Sequence, residues 1–470
     1  MIPRLIFCPG PGQTIPIANG KGAAATPDYK ALYFELFRAN EQAIRLLTAA
    51  QLKAEKWGDD PLSVDYGTLY TSRYKVLRTA YAAWREKYAG LHGCAHYYPD
   101  DYYTFTLANE DWLEDYALYM ACKRHFGMRS WTEWDDADIR LRRSPEVLEQ
   151  YRTLLREDVE LFTYLQFLFF RQWNRLRDYL HSLDIQVIGD LPIYVAMDSA
   201  DVWAEPEMFQ LDEHNVPTEV SGVPPDCFSE DGQLWGNPLY NYEAMAKDGF
   251  GWWIRRIGGA QKLYDVIRID HFRGIESYWA IPAVNRTARK GEWVKGPGMK
   301  LVNAIRKNCP DTDFIAEDLG FLTPEVQQLV IDSGFPGMKV LEFAFDPREP
   351  SNYLPDRYPE NSICYTGTHD NDTTAGWIAT ADETTLKAAK DYLHFDSTDD
   401  GVEAFIRCVL SSPCCMAVVP MQDVLHLGSE ARMNLPGTIG GNWAWRMKPG
   451  AATEDVARHL REMNQEYQRI

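Results

Sequence analysis

Between residues 185 and 423 the chain repeatedly places a charged group where a core strand should end. Six short runs, "IQVIGD", "DVIRID", "DFIAED", "MKVLEFAF", "SICYTG" and "MAVVPMQD", alternate with amphipathic helical text. That alternation is the mark of βα units around a parallel sheet. Four of the runs end at, or lead shortly into, a carboxylate: Asp190, Asp270, Glu317 and Asp370. A TIM barrel gathers such groups at the C-terminal mouth of its strands, where active sites sit. A doubly wound open sheet gathers them too, but usually declares a glycine-rich phosphate loop after its first strand. None is visible. The expected fold is α/β, a TIM (β/α)8 barrel with helical insertions.

The stretch "VIRIDHFRG" at residues 266–274 is the most informative of these. Val266, Ile267 and Ile269 suit a buried strand, whereas a buried charge is costly unless paired. Arg268 stands two residues before Asp270 and so points to the same side of the strand. A guanidinium there holds Asp270 ionised. Glu317 instead follows the apolar Phe314, Ile315 and Ala316, a setting that raises a carboxyl pKa. Glycoside chemistry needs this contrast, with one carboxylate to attack the anomeric carbon and one protonated acid for the departing oxygen. A structural Arg–Asp pair is the alternative for "IRID" alone. His369 in "TGTHDNDT" is read as touching ligand, and His271 less firmly so. Asp190 fits either a substrate contact or a turn cap before Pro192.

The rest of the chain narrows the setting. A formal charge of −20 argues against nucleic acid and anionic membranes as partners. Aromatics make up 13%, with 15 Trp and 26 Tyr, enough both to fill a large core and to offer flat faces to sugars. The nine cysteines show no CxxC spacing, so neither a disulfide framework nor a zinc site is indicated, and Cys414 and Cys415 read as inert core. No signal peptide or membrane span is legible, which makes the cytoplasm the expected compartment. Residues 1–45 form a poorly patterned segment, 46–156 a helical insertion and 157–470 the barrel, opening on one long helix over 157–184. Residues 221–238, "SGVPPDCFSEDGQLWGNP", read as a lid loop in which Phe228 and Trp235 either stack on sugar or fill a satellite core.

From about residue 46 to the end, the chain resembles the amylomaltases, the bacterial 4-alpha-glucanotransferases of the α-amylase superfamily. The motifs are "GDLPIYVAMDSADVW", "GVPPDCFSEDGQLWGNPLY", "VIRIDHFRG", "AEDLG", "PGMKVLEFAFD", "YTGTHDNDT" and "GSEARMNLPG…GNWAWR". The resemblance implies transfer of α-1,4-glucan segments to an acceptor through a covalent glycosyl-enzyme, with no cofactor and no metal. It implies Asp270 as nucleophile, Glu317 as acid/base and Asp370 as a third carboxylate gripping sugar hydroxyls. Arg268, His369 and Asp190 match substrate positions, and Asp226, Phe228 and Trp235 belong to a lid that favours glucan acceptors over water. The implied partners are maltooligosaccharides and starch or glycogen fragments.

Two departures stand out. Many members carry an aromatic in the lid where this chain has Cys227. The family's opening strand and its glycine- and tyrosine-containing loop are also missing, and residues 1–45 read as a displaced frame would. A barrel lacking its first strand is therefore expected, open beside its last strand, with residues 8–29 poorly packed. Two other functions stay open at this point: an α-amylase-type hydrolase, and an inactive truncated glucan-binding product.

Overall fold

The structure is a computed structural model that describes residues 6–8, 58–88, 98–142, 144–225, 230–320, 322–346 and 353–470. Its strands in chain order are β1 (Ile6–Cys8), β2 (Gln186–Leu191), β3 (Glu219–Val223), β4 (Gln233–Pro238), β5 (Val266–Ile269) and β6 (Ser277–Pro282). They continue with β7 (Glu292–Lys295), β8 (Asp313–Ala316), β9 (Gly337–Val340), β10 (Ser362–Tyr365) and β11 (Met416–Val418). All six expected runs are strands.

Those six are parallel neighbours. Strand β5 pairs with β2 on one side and β8 on the other, and β10 pairs with β9 and β11. The two triplets meet where the Ala316 N–H donates to Pro336 O at 2.9 Å. Strand β1 lies antiparallel on the free edge of β2 and so does not take the place of a parallel barrel strand. Among the described residues no strand pairing links β11 back to β2. Apart from Cys8, the expectation for residues 8–29 lies outside the described residues.

Side chains alternate faces along a strand, and here the alternation separates the core from its wrapping. Ile188, Val266, Ile315, Met338, Val340, Ile363, Tyr365, Met416 and Val418 form one cluster, drawn from all six strands. Their neighbours Val187, Ile267, Ile269, Phe314 and Ala316 belong to the larger core under the helices. Gly189 is on that outer row, and a Cβ there would come within 2.0 Å of the Tyr264 ring. Only glycine lets Tyr264 lie flat against β2.

Helices cover the outer face. The long helix Arg156–His181 buries Leu161, Tyr164, Leu168 and further apolar residues at intervals of three and four. Glu157 and Asp158 in its first turn complement the positive helix end. Tyr66–Tyr88, Asp100–Leu107 and Glu110–His125 pack beside it. Among the described residues no helix is long and apolar enough to cross a membrane.

A second sheet, antiparallel and ordered β4-β3-β6-β7, arises from the connections after β2 and β5. It corrects the reading of residues 221–238 as a loop. Residues 219–223 and 233–238 are paired strands, and Trp235 stands on β4. Cys415 is also exposed rather than core, whereas Cys414 is buried.

Candidate active site

The inward row of the parallel strands leads directly into the site. Counting by twos from Ile188, Val266 and Ile315 reaches Asp190, Arg268 with Asp270, and Glu317. The strand ends thus turn an apolar interior into a charged one within one residue pair.

Arg268 is the hub, with only 5% of its side chain exposed. Its Nε donates to Asp190 Oδ1 at 2.9 Å and its Nη2 to Asp270 Oδ1 at 2.8 Å. Burial opposes a charged guanidinium, but the Asp190, Asp270 and Glu317 charges outweigh it and raise its pKa. Sequence reasoning paired Arg268 with Asp270 alone; the structure gives it both carboxylates.

Asp270 departs from expectation in one respect. Burial, with the charges of Asp190 and Asp370, raises its pKa despite Arg268 and His369. Glu317 is carried further, to about 8, by burial first and the Asp270 charge second. Opposing this are Arg268 and two backbone bonds, from Leu319 N–H to Oε1 and His271 N–H to Oε2, each 2.7 Å. Burial raises both carboxyls, but only Asp270 has a guanidinium donating to its Oδ1, which favours its charged form over that of Glu317. The outer part of Asp270 is open, with 38% of its side chain exposed.

Asp370 lies beyond the end of β10. Its Oδ2 is 3.2 Å from His369 Nε2, and its Oδ1 accepts from Asn434 Nδ2 at 2.6 Å. Burial pushes its carboxyl up, but His369, Asn434 and the Arg268 charge outweigh burial and bring it down to about 2. His369 Nε2 also approaches Asp190 Oδ2 at 3.9 Å, so the histidine joins two of the carboxylates. The Trp443 ring backs His369 at 5.1 Å. Asp190, Arg268, Asp270, Glu317, His369 and Asp370 therefore form one constellation. Asp226 and Phe228 lie outside the described residues.

Sequence reasoning missed several supports. Asn434 and Arg432, whose Nη2 donates to Asp370 O at 2.7 Å, lie in the distant "GSEARMNLPG" motif, whose residues were given no role at the site. Glu342 and Asp423 were visible inside "VLEFAF" and "VPMQD" and were passed over. Asp423 accepts from Thr366 Oγ1 at 2.6 Å and from Thr374 N–H at 2.8 Å, fixing the strand end that leads to Asp370. Burial, with the Asp423 and Asp372 charges, keeps Glu342 well above the usual carboxylate range. Among the described residues no group of three or more His, Cys, Asp or Glu is placed to hold a metal ion.

Comparison with known proteins places the whole chain in a family. The glycoside hydrolase family 77 profile, described as 4-alpha-glucanotransferase, matches residues 27–453. The chain belongs to the 4-alpha-glucanotransferase family. A 4-alpha-glucanotransferase of Streptococcus pneumoniae is 43% identical over 458 residues, 96% of this chain and 89% of the relative. That of Thermus thermophilus is 43% identical over 451 residues, 93% of this chain and 88% of its own. An amylomaltase from Streptococcus agalactiae, solved in complex with acarbose, superposes with a TM-score of 0.85 at 36% identity. That alignment covers 94% of this chain and 86% of the amylomaltase. The match to this 4-alpha-glucanotransferase family thus extends across both the helical insertion and the parallel strands.

Proposed function

We propose that the chain is an active 4-alpha-glucanotransferase that moves segments of α-1,4-glucans by double displacement. The observation that carries this reading is the electrostatic contrast between Asp270, with its guanidinium, and Glu317, with its pKa raised to about 8. Asp270 attacks the anomeric carbon as the glycosidic C–O bond breaks, and Glu317 passes its proton to the departing oxygen. The product is a glycosyl ester of Asp270. The 4-hydroxyl of an acceptor glucan then attacks that ester carbon, Glu317 takes the hydroxyl proton, and Asp270 leaves as a carboxylate. Asp370, held ionised, accepts hydroxyl hydrogen bonds from the bound sugar ring. His369, Asp190 and Arg268 orient that ring and fix the position of the nucleophile.

The acarbose complex of the S. agalactiae amylomaltase supports an α-glucan ligand for the same cleft. The finer architecture is a (β/α)8 barrel in which β2, β5, β8, β9, β10 and β11 are six of the strands, with residues 46–156 as an insertion. Asp226, Phe228 and Trp235 serve as substrate-binding residues of a lid that favours glucan acceptors over water, and the setting is cytoplasmic maltodextrin metabolism. Incubation with maltotriose tests the activity. Transfer gives a ladder of longer and shorter oligosaccharides at constant reducing ends, whereas a net rise in reducing ends would mark a hydrolase.

A further inference from the structure

We propose that the rings of Trp235 and His271 form a brace that holds Glu317 in its proton-donating position. This makes the antiparallel sheet a control on the acid rather than only a cover, and it rests on the reading of Glu317 given above.

His271 follows the nucleophile and adopts φ +49°. A left-handed backbone at a residue other than glycine is strained and persists only where the surroundings enforce it. The strained turn has a clear product. The His271 N–H reaches Glu317 Oε2 at 2.7 Å, and the next N–H, of Phe272, donates to Glu317 O at 2.9 Å. Glu317 in turn donates its own N–H to Ile269 O at 3.1 Å. Residues 269–272 thus grip the acid by its side chain and its backbone together.

What holds the turn is a contact from outside it. The Trp235 ring meets the His271 ring edge-to-face, with centroids 4.8 Å apart and planes at 89°. Trp235 is itself fixed on β4 by a bond from Nε1 to Gln233 Oε1 at 3.1 Å. On its other side His271 lies against Gly274, where a Cβ would approach Cδ2 to 3.1 Å. Burial, then the Arg273 charge, lowers the imidazole pKa to about 3, so the brace is a neutral packing contact throughout the working pH range. Trp235 is 37% exposed, so one face of its ring is open to solvent beside His271. A glucan pressing on that face bears on the ring that steadies Glu317.

A change of leaving group tests this. An oligosaccharide needs a proton on its departing oxygen. A maltotriosyl fluoride does not, because fluoride leaves with the C–F electron pair as Asp270 bonds to carbon. We expect Trp235→Ala and His271→Asn to slow single-turnover cleavage of maltotriose by about 10–100-fold, a partial loss of general-acid catalysis. Their fluoride bursts should fall at least about threefold less than their maltotriose cleavage, and the double variant should be no slower than the slower single. Asparagine tolerates positive φ, so the backbone turn is retained. A fluoride burst that falls in parallel with cleavage, or unchanged cleavage in Trp235→Ala, overturns the inference. Should His271→Asn fail to fold, Trp235→Ala decides alone. Glu317→Gln separates the two levels. If it loses both reactions equally, the functional reading itself fails; if it keeps only the fluoride burst and the ring variants do not, the brace alone is wrong.

Discussion

Asp190 and Arg268 stand opposite one another on adjacent parallel strands, and the guanidinium Nε lies 2.9 Å from the carboxylate. The same guanidinium reaches Asp270 one turn of the pleat further on. One buried cation therefore fixes both a neighbouring strand end and the Asp270 carboxylate.

Arg268→Lys removes that double reach. Lysine is a flexible point charge and cannot offer two separate edges of a planar fork. Transfer activity should fall by about 10²–10⁴-fold, while glucan affinity measured by calorimetry changes less. Turnover near wild type would mean that the Arg268 fork does not hold Asp270.

The Asn434 amide tests the third carboxylate. Its bond is one of the interactions that bring Asp370 down to about 2. Asn434→Ala should raise the acid limb of the kcat/KM profile and reduce kcat/KM by about tenfold, in line with one charge-assisted hydrogen bond. An unmoved acid limb would show that Asn434 contributes only packing.

Glu317 makes two predictions with fixed signs. Its raised pKa, about 8, means activity should fall as pH rises through that value and the acid loses its proton. For stability, a carboxyl whose folded pKa exceeds its unfolded value contributes fully below the unfolded pKa, and that contribution is lost as pH rises through the folded one. Glu317→Gln, which cannot ionise, should therefore gain thermal stability over the wild type between about pH 4.5 and 8. Melting curves at pH 5 and pH 8.5 check this, and a constant difference between the two would contradict it.

Gly189→Ala tests the packing beneath the site. Its Cβ would lie 2.0 Å from the Tyr264 ring, so the ring or the strand must move. A loss of about 1–3 kcal/mol is expected in urea unfolding. A wild-type unfolding midpoint would show that Tyr264 swings away freely.

The six parallel strands were legible because buried strands read as continuous apolar runs, and four of them ended at, or led shortly into, a carboxylate that a core does not tolerate. The antiparallel sheet was not. "QLWGNP" leaves Leu234, Trp235 and Gly236 exposed, and its glycine and proline read as loop. Within the site, Arg268 and Asp270 declared each other because the strand period places them on one face. Asp190 was legible as a candidate, but its partner was not, since the pairing of β2 with β5 is set by register across 78 residues of intervening chain. Asn434 and Arg432 were hidden for the same reason, standing 64 and 62 residues from Asp370.

The central claim is that Asp270 is the nucleophile and Glu317 its acid/base. The most direct test is mass spectrometry of Glu317→Gln after incubation with α-maltotriosyl fluoride. Fluoride needs no acid to leave, and without a base at residue 317 the second step stalls, so the glycosyl-enzyme should accumulate. One maltotriosyl unit attached to the peptide containing Asp270 is the expected result. No adduct under conditions of fluoride release, or an adduct on any other residue, would contradict it.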